Sequence, residues 1–233
     1  IGADTTVAVG SGGSVVNGGN GFRALDSVAG TLALTSGGSV RTDAAAGLTV
    51  ADTGILALGS GSTLQVTGSA LALAPGATFT TGGTLILGGA GTSPTFALPA
   101  GFTFAAGGDV QLGSVAATST YYTTTDSATL TAASGTTWTT LGTIRGVGAL
   151  SGGSFTNRGG LFAGGGTLAI TGLDAPLVNS GILASIGTPA HPAQLTLNDL
   201  TIQNFEGATH GLINAQSTIV MARTTVNGGD VRV

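Results

Sequence analysis

A chain of 233 residues with 43 glycines, six prolines, no cysteine and a net charge of −4 lies far from the average soluble domain. Only 7% of its residues are charged, against roughly 25% in an ordinary domain, yet 42% are hydrophobic and mean hydropathy is positive, enough apolar surface to order the chain. No cysteine means no disulfide or thiolate metal site; six scattered arginines make no basic stripe for nucleic acid; and no run of about 18 apolar residues provides a membrane-spanning helix.

What the chain has instead is a short apolar-x-apolar triplet. In chain order it falls at Leu32/Leu34, Leu48/Val50, Leu56/Leu58, Leu64/Val66, Leu71/Leu73, Leu85/Leu87, Phe96/Leu98, Phe102/Phe104, Val110/Leu112, Leu168/Ile170 and Leu195/Leu197. The residue between is usually small or polar, with Ile86 the exception, so each triplet predicts a strand with one buried and one wet face. Leu32, Val40, Leu48, Leu56 and Leu64 stand eight residues apart, an even step that returns the chain to the same face after a strand and a glycine turn. Three such steps make a coil of about 24 residues, and stacking at roughly 4.8 Å turns the chain into about ten coils near 45 Å long.

The C-terminal half repeats the estimate. Asn157, Asn179, Asn204 and Asn227 are spaced by 22, 25 and 23 residues, and all but Asn204 open an Asn-x-Gly-x-Leu/Val motif. Asparagine and glycine tolerate the backbone of a tight corner, and amides recurring once per coil can stack into a hydrogen-bonded ladder. The expected fold is therefore all-β: one right-handed parallel β-helix over residues 1–233, with about 22–25 residues per coil. Strands this short do not suit an outer-membrane barrel, and eight-residue steps do not suit a left-handed hexapeptide solenoid. Two proline-bearing segments, 92–101 and 187–193, are expected to leave the coils, because proline cannot donate to a strand ladder. The Thr-rich stretch 116–143 departs from the pattern.

The passages Phe155-Thr-Asn-Arg-Gly-Gly-Leu161, Gly165-Gly-Thr-Leu-Ala-Ile-Thr-Gly172 and Leu177-Val-Asn-Ser-Gly-Ile-Leu183 resemble the repeats of filamentous-haemagglutinin-like adhesins and of large autotransporter passengers. The resemblance covers residues 145–233 best and 30–112 more loosely. It implies a right-handed β-helix exported by a Gram-negative bacterium to the cell surface, for adhesion, aggregation or surface structure. It identifies a scaffold and transfers no binding residue.

Residues for catalysis are sparse. Nine aspartates and one glutamate sit mostly alone in turn-like settings, and Asp174, Asp199, Glu206 and Asp230 differ in their offsets from the asparagines, so no carboxylate pair for glycoside hydrolysis is implied. His191 and His210 lack partners at metal-ligand spacing, and no serine lies in a nucleophile elbow. Gly18–Asp26 resembles a calcium-binding nonapeptide but has Arg23 at the ligand position. No catalytic residue, metal or cofactor is expected. Tyr121, Tyr122 and Trp138 cluster in the Thr-rich stretch and suggest a contact surface for a subunit or a surface glycan, or else a segment folded onto the solenoid. Both termini read as strands, Thr5 to Val9 and Asp230 to Val233, which makes Val7, Val9, Val231 and Val233 candidates for end-to-end contact with another copy or with flanking coils of a longer chain. The expected function is an extracellular structural filament; the alternatives are the shaft of a secreted adhesin and a carbohydrate-active β-helix enzyme.

Overall fold

The computed structural model describes residues 1–2, 4–10, 22–89, 91–113 and 126–233, and every regular element in them is a β-strand. Nearly all pairing is parallel and joins residues about one coil apart. Thr6 stands opposite Thr31, Thr31 opposite Ile55 and Ile55 opposite Thr78, offsets of 25, 24 and 23 residues. The chain is a parallel β-solenoid with three strands per rung, hence three faces.

Among the described residues, the first face begins at Ser39–Thr42 and the second at Ser27–Val28; the third runs from Thr6–Val9 to Thr78–Thr81 and resumes from Phe102–Phe104 to Thr225–Asn227. Eight-residue periodicity produces this arrangement directly. Leu32 lies on the third face, Val40 on the first and Leu48 on the second; Leu56 then stacks on Leu32 and Leu64 on Val40. One column of the first face continues through Leu64, Leu85, Val110, Ile144, Leu161, Leu183, Ile213 and Val231. From Leu64 to Ile213 its members are buried, and burial of one such side chain is worth about 1.5–3 kcal/mol. This unbroken apolar interior is the main support of the fold.

Two kinds of glycine shape the corners. Gly142, Gly159 and Gly181 stack where the third face turns into the first, and a Cβ on Gly159 would strike the carbonyl oxygen of Gly142, as one on Gly181 would strike that of Gly159. Close backbone approach, rather than unusual φ, demands glycine there. Gly146 and Gly148, at φ 120° and 142°, instead bend the long strand Thr143–Ser151 so that it serves the first and second faces in succession.

Three expectations are corrected. Segment 92–101 is no excursion: Thr95–Leu98 is a second-face strand paired on both sides, with Phe96 and Leu98 in the core. Pro94 and Pro99 flank it, where no ladder N–H is required of them, and Phe96 centres an aromatic cluster with Phe79, Phe102 and Phe104 at 5.6–6.3 Å. The Thr-rich stretch is regular from Ala128 onward, since Ala128–Ala132 and Thr137–Thr140 occupy the second and third faces. Trp138 is therefore no surface contact. It alternates inward between threonines, is 1% exposed and stacks on Phe155 at 3.8 Å. Tyr121 and Tyr122 lie outside the described residues. At 187–193 the chain does turn aside between strands Ile182–Ile186 and Gln194–Asn198: Thr188 and His191 exchange backbone hydrogen bonds of 3.0 Å.

Candidate functional site

Strand alternation on the third face aims one residue of each rung into the corner before the stacked glycines. At Asn157, Asn179 and Asn204 that residue is an asparagine, wholly buried. The three amides form a directional ladder. Asn157 Nδ2 donates to Asn179 Oδ1 at 2.7 Å, and Asn179 Nδ2 donates to Asn204 Oδ1 at 2.6 Å. Asn204 Nδ2 ends it by donating to the carbonyls of Gly211 at 3.0 Å and Asp230 at 3.2 Å. Asn157 Nδ2 also reaches Ile182 O at 3.1 Å, while Asn157 Oδ1, at the head, has no partner.

Asn227 does not belong to the ladder. It stands opposite Gln203 rather than Asn204, and both are exposed. The signal was present in the sequence: an inward apolar residue lies two before each ladder asparagine, as Phe155, Leu177 and Ile202, whereas Val226 lies one before Asn227. A one-residue difference in register turns a side chain to the opposite face.

Behind Asn204 the chain inserts a hairpin, Phe205–Glu206 antiparallel to Thr209–His210, and returns at Gly211, whose N–H donates to Asn204 O at 2.9 Å. The hairpin folds back across two rungs. Glu206 accepts from Arg158 Nε at 2.7 Å and Nη2 at 2.5 Å, and from Ser180 Oγ at 3.1 Å. Hydrogen bonding from Arg158 is the chief reason the Glu206 carboxyl lies below its ordinary range; burial opposes it, and Ser180 and the guanidinium charge reinforce it.

The remaining carboxylates do not converge. Asp199 takes a two-nitrogen fork from Arg223, Asp109 one from Arg145, and Asp174 accepts from Gly135 N at 2.7 Å. Among the described residues, no group of three or more His, Cys, Asp or Glu is placed to hold a metal, and no helix is long and apolar enough to cross a membrane.

Val231 is 50% and Met221 38% exposed, although each tops a column whose preceding members, Ile213 and Leu197, are fully buried. Val233 is fully exposed. At the other end Val7 is half-buried and Val9 only 2% exposed, so Val9 offers no free surface; its alternation with Ala8 points it into the core. Among the described residues, the first strand of each face, Thr6–Val9, Ser27–Val28 and Ser39–Thr42, pairs on one side only.

Comparison with protein-family models, with curated proteins and with solved structures returned no match. The fold and its polar column define the class: a parallel β-solenoid with an internal asparagine ladder.

Proposed function

We propose that this chain is an extracellular structural element, a stiff rod that extends by stacking rung on rung, against a second copy or against further coils of a longer chain. The observation that carries this reading is the stacked repeat itself: a first-face column stays buried from Leu64 to Ile213 across parallel-paired strands, an architecture that lengthens rung by rung. An unpaired strand edge backed by apolar side chains is a template for further pairing. Short charge-poor strands and corners fixed by glycine suit a surface rod, in keeping with the adhesin-like and autotransporter-like repeats that the sequence resembles.

Electron microscopy and light scattering of the purified chain at rising concentration test the proposal. Fibres with a meridional spacing of about 4.8 Å are expected, and Val231→Asp should suppress them by placing a charge in the joint. A monodisperse monomer throughout would refute end-to-end assembly and leave the shaft of a secreted adhesin as the better reading.

A further inference from the structure

Of the six arginines, three are saturated. Arg145, Arg158 and Arg223 each give two guanidinium nitrogens to a carboxylate of their own, Asp109, Glu206 and Asp199. Arg23 and Arg41 are arranged differently. Both address Asp43: Arg23 Nη1 donates to Oδ2 at 2.6 Å, and Arg41 Nε donates to Oδ1 at 2.6 Å. Thr67 Oγ1 also donates to Asp43 Oδ1, at 2.8 Å. Both oxygens of the shared carboxylate are thus engaged, and between them they hold both guanidinium groups. Two positive charges face one negative charge, and the outer nitrogens of both forks make no hydrogen bond to the described residues.

These groups lie in a solvent-open groove whose other walls carry the hydroxyls of Thr67, Ser69, Thr92 and Ser93; Ser69 and Thr92 donate to Ala46 O and Gly89 O and Ser93 pairs with Ser127, which leaves their oxygens as acceptors for a sugar alcohol. Arg23 and Arg41 are 48% and 38% exposed, so their free nitrogens are accessible. Burial raises the Asp43 carboxyl, but the hydrogen bonds from Arg41 and Thr67 and the two guanidinium charges outweigh it and keep the carboxyl below its ordinary range. The groove therefore keeps its composition at neutral pH. One surplus positive charge suits a monoanion, planar forks with free N–H groups match an oxyanion edge, and flanking hydroxyls on both walls match the alcohols of a sugar.

We propose that this groove binds a sugar unit carrying one negative charge, its anionic group bridging Arg23 and Arg41 and its hydroxyls meeting Ser69, Thr92 and Ser93. The site lies on the flank of the N-terminal rungs.

The test is titration calorimetry with three probes: a galacturonate tetramer, its uncharged methyl ester, and a sulfated disaccharide. The galacturonate tetramer is expected to bind, more weakly as salt is raised, and Arg23→Gln or Arg41→Gln should lower its affinity about tenfold or more, since each removes a charge-assisted fork. The methyl ester should not bind. Arg232→Gln, which removes an equal charge far along the chain, should leave affinity unchanged. Melting curves report folding, and should Arg41→Gln fail to fold, Arg41→Lys keeps the charge and should still weaken binding by losing the planar fork. Binding of the sulfated disaccharide with the same arginine dependence would name a sulfate ester, rather than a uronate, as the source of the charge. Equal binding of the methyl ester, an equal loss in Arg232→Gln, or no binding of either anionic probe at millimolar concentration would overturn the proposal.

Discussion

The direction of the asparagine ladder makes the three asparagines unequal, and leucine substitution measures the difference. In the native ladder one buried atom, Asn157 Oδ1, has no partner. Asn157→Leu removes that atom but strands Asn179 Oδ1, which loses its only amide donor, so the number of unmet polar atoms does not change. Asn179→Leu strands Asn204 Oδ1 and leaves Asn157 Oδ1 unmet as before, while Asn157 Nδ2 keeps Ile182 O. One further unmet buried group costs about 1–3 kcal/mol. Asn179→Leu should therefore be less stable than Asn157→Leu by about that amount, or roughly 2–12 °C in melting temperature for a chain of this size. Trp138, the only tryptophan, stacks on Phe155 two residues before the ladder head, so its fluorescence during urea unfolding is a local probe. Equal losses in the two variants, or a greater loss in Asn157→Leu, would refute the assigned direction of the hydrogen bonds.

Two more outcomes follow from the packing and the charges. Leu64→Asp places an unpaired charge in the unbroken first-face column and should cost several kcal/mol, whereas Gln65→Asp, facing outward, loses only a 2.9 Å bond to Gly88 O and should be mild; thermal melts with equal shifts would contradict the face assignment. Because the folded-state pKa of Glu206 is lowered, its contribution to hairpin docking is complete above the ordinary glutamate pKa and disappears as pH falls through the lowered value. Protection of the amides in 205–210, taken relative to their intrinsic exchange rate at each pH, should then fall in acid, Glu206→Gln should lower it at neutral pH, and pH-independent protection would dismiss the ion pair as the clasp of the hairpin.

Much of the fold was legible because it rests on local alternation. An eight-residue step combines a period-two strand with a turn, so Leu32, Val40 and Leu48 announce three faces without any distant contact. Asn157 and Asn179 were legible for the same reason, and Asn227 was misplaced because spacing was counted without the parity of its apolar neighbour. The Phe96/Leu98 triplet was legible as a strand, but the prolines around it pointed to a segment outside the coils, because proline marks the limits of a strand as readily as its absence. The stacking of Gly159 on Gly142 was hidden for a different reason: the need for glycine comes from a carbonyl one rung away, and nothing local reveals it. Arg23 and Arg41 are likewise 18 residues apart, and only the coil brings both to Asp43.

The column that carries the ladder also bears on how such a rod grows. Toward the N-terminus its corner position is apolar, Leu34 stacked on Leu58, then Thr81; from Thr140 onward it becomes Asn157, Asn179 and Asn204. Apolar columns tolerate many neighbours, because a leucine stacks on any other leucine. An amide column does not, since an asparagine set against leucine leaves buried polar atoms unmet. The ladder therefore fixes which rung lies on which, while the apolar columns supply most of the attraction. The last strands are paired in parallel, so an incoming rung continues the strand pairing only when its strands run the same way. A second copy meets that condition when it is translated along the rod and docks its first rung on this last one. In the filament proposed above, such a head-to-tail contact would not close on itself, and its repetition would give an open filament.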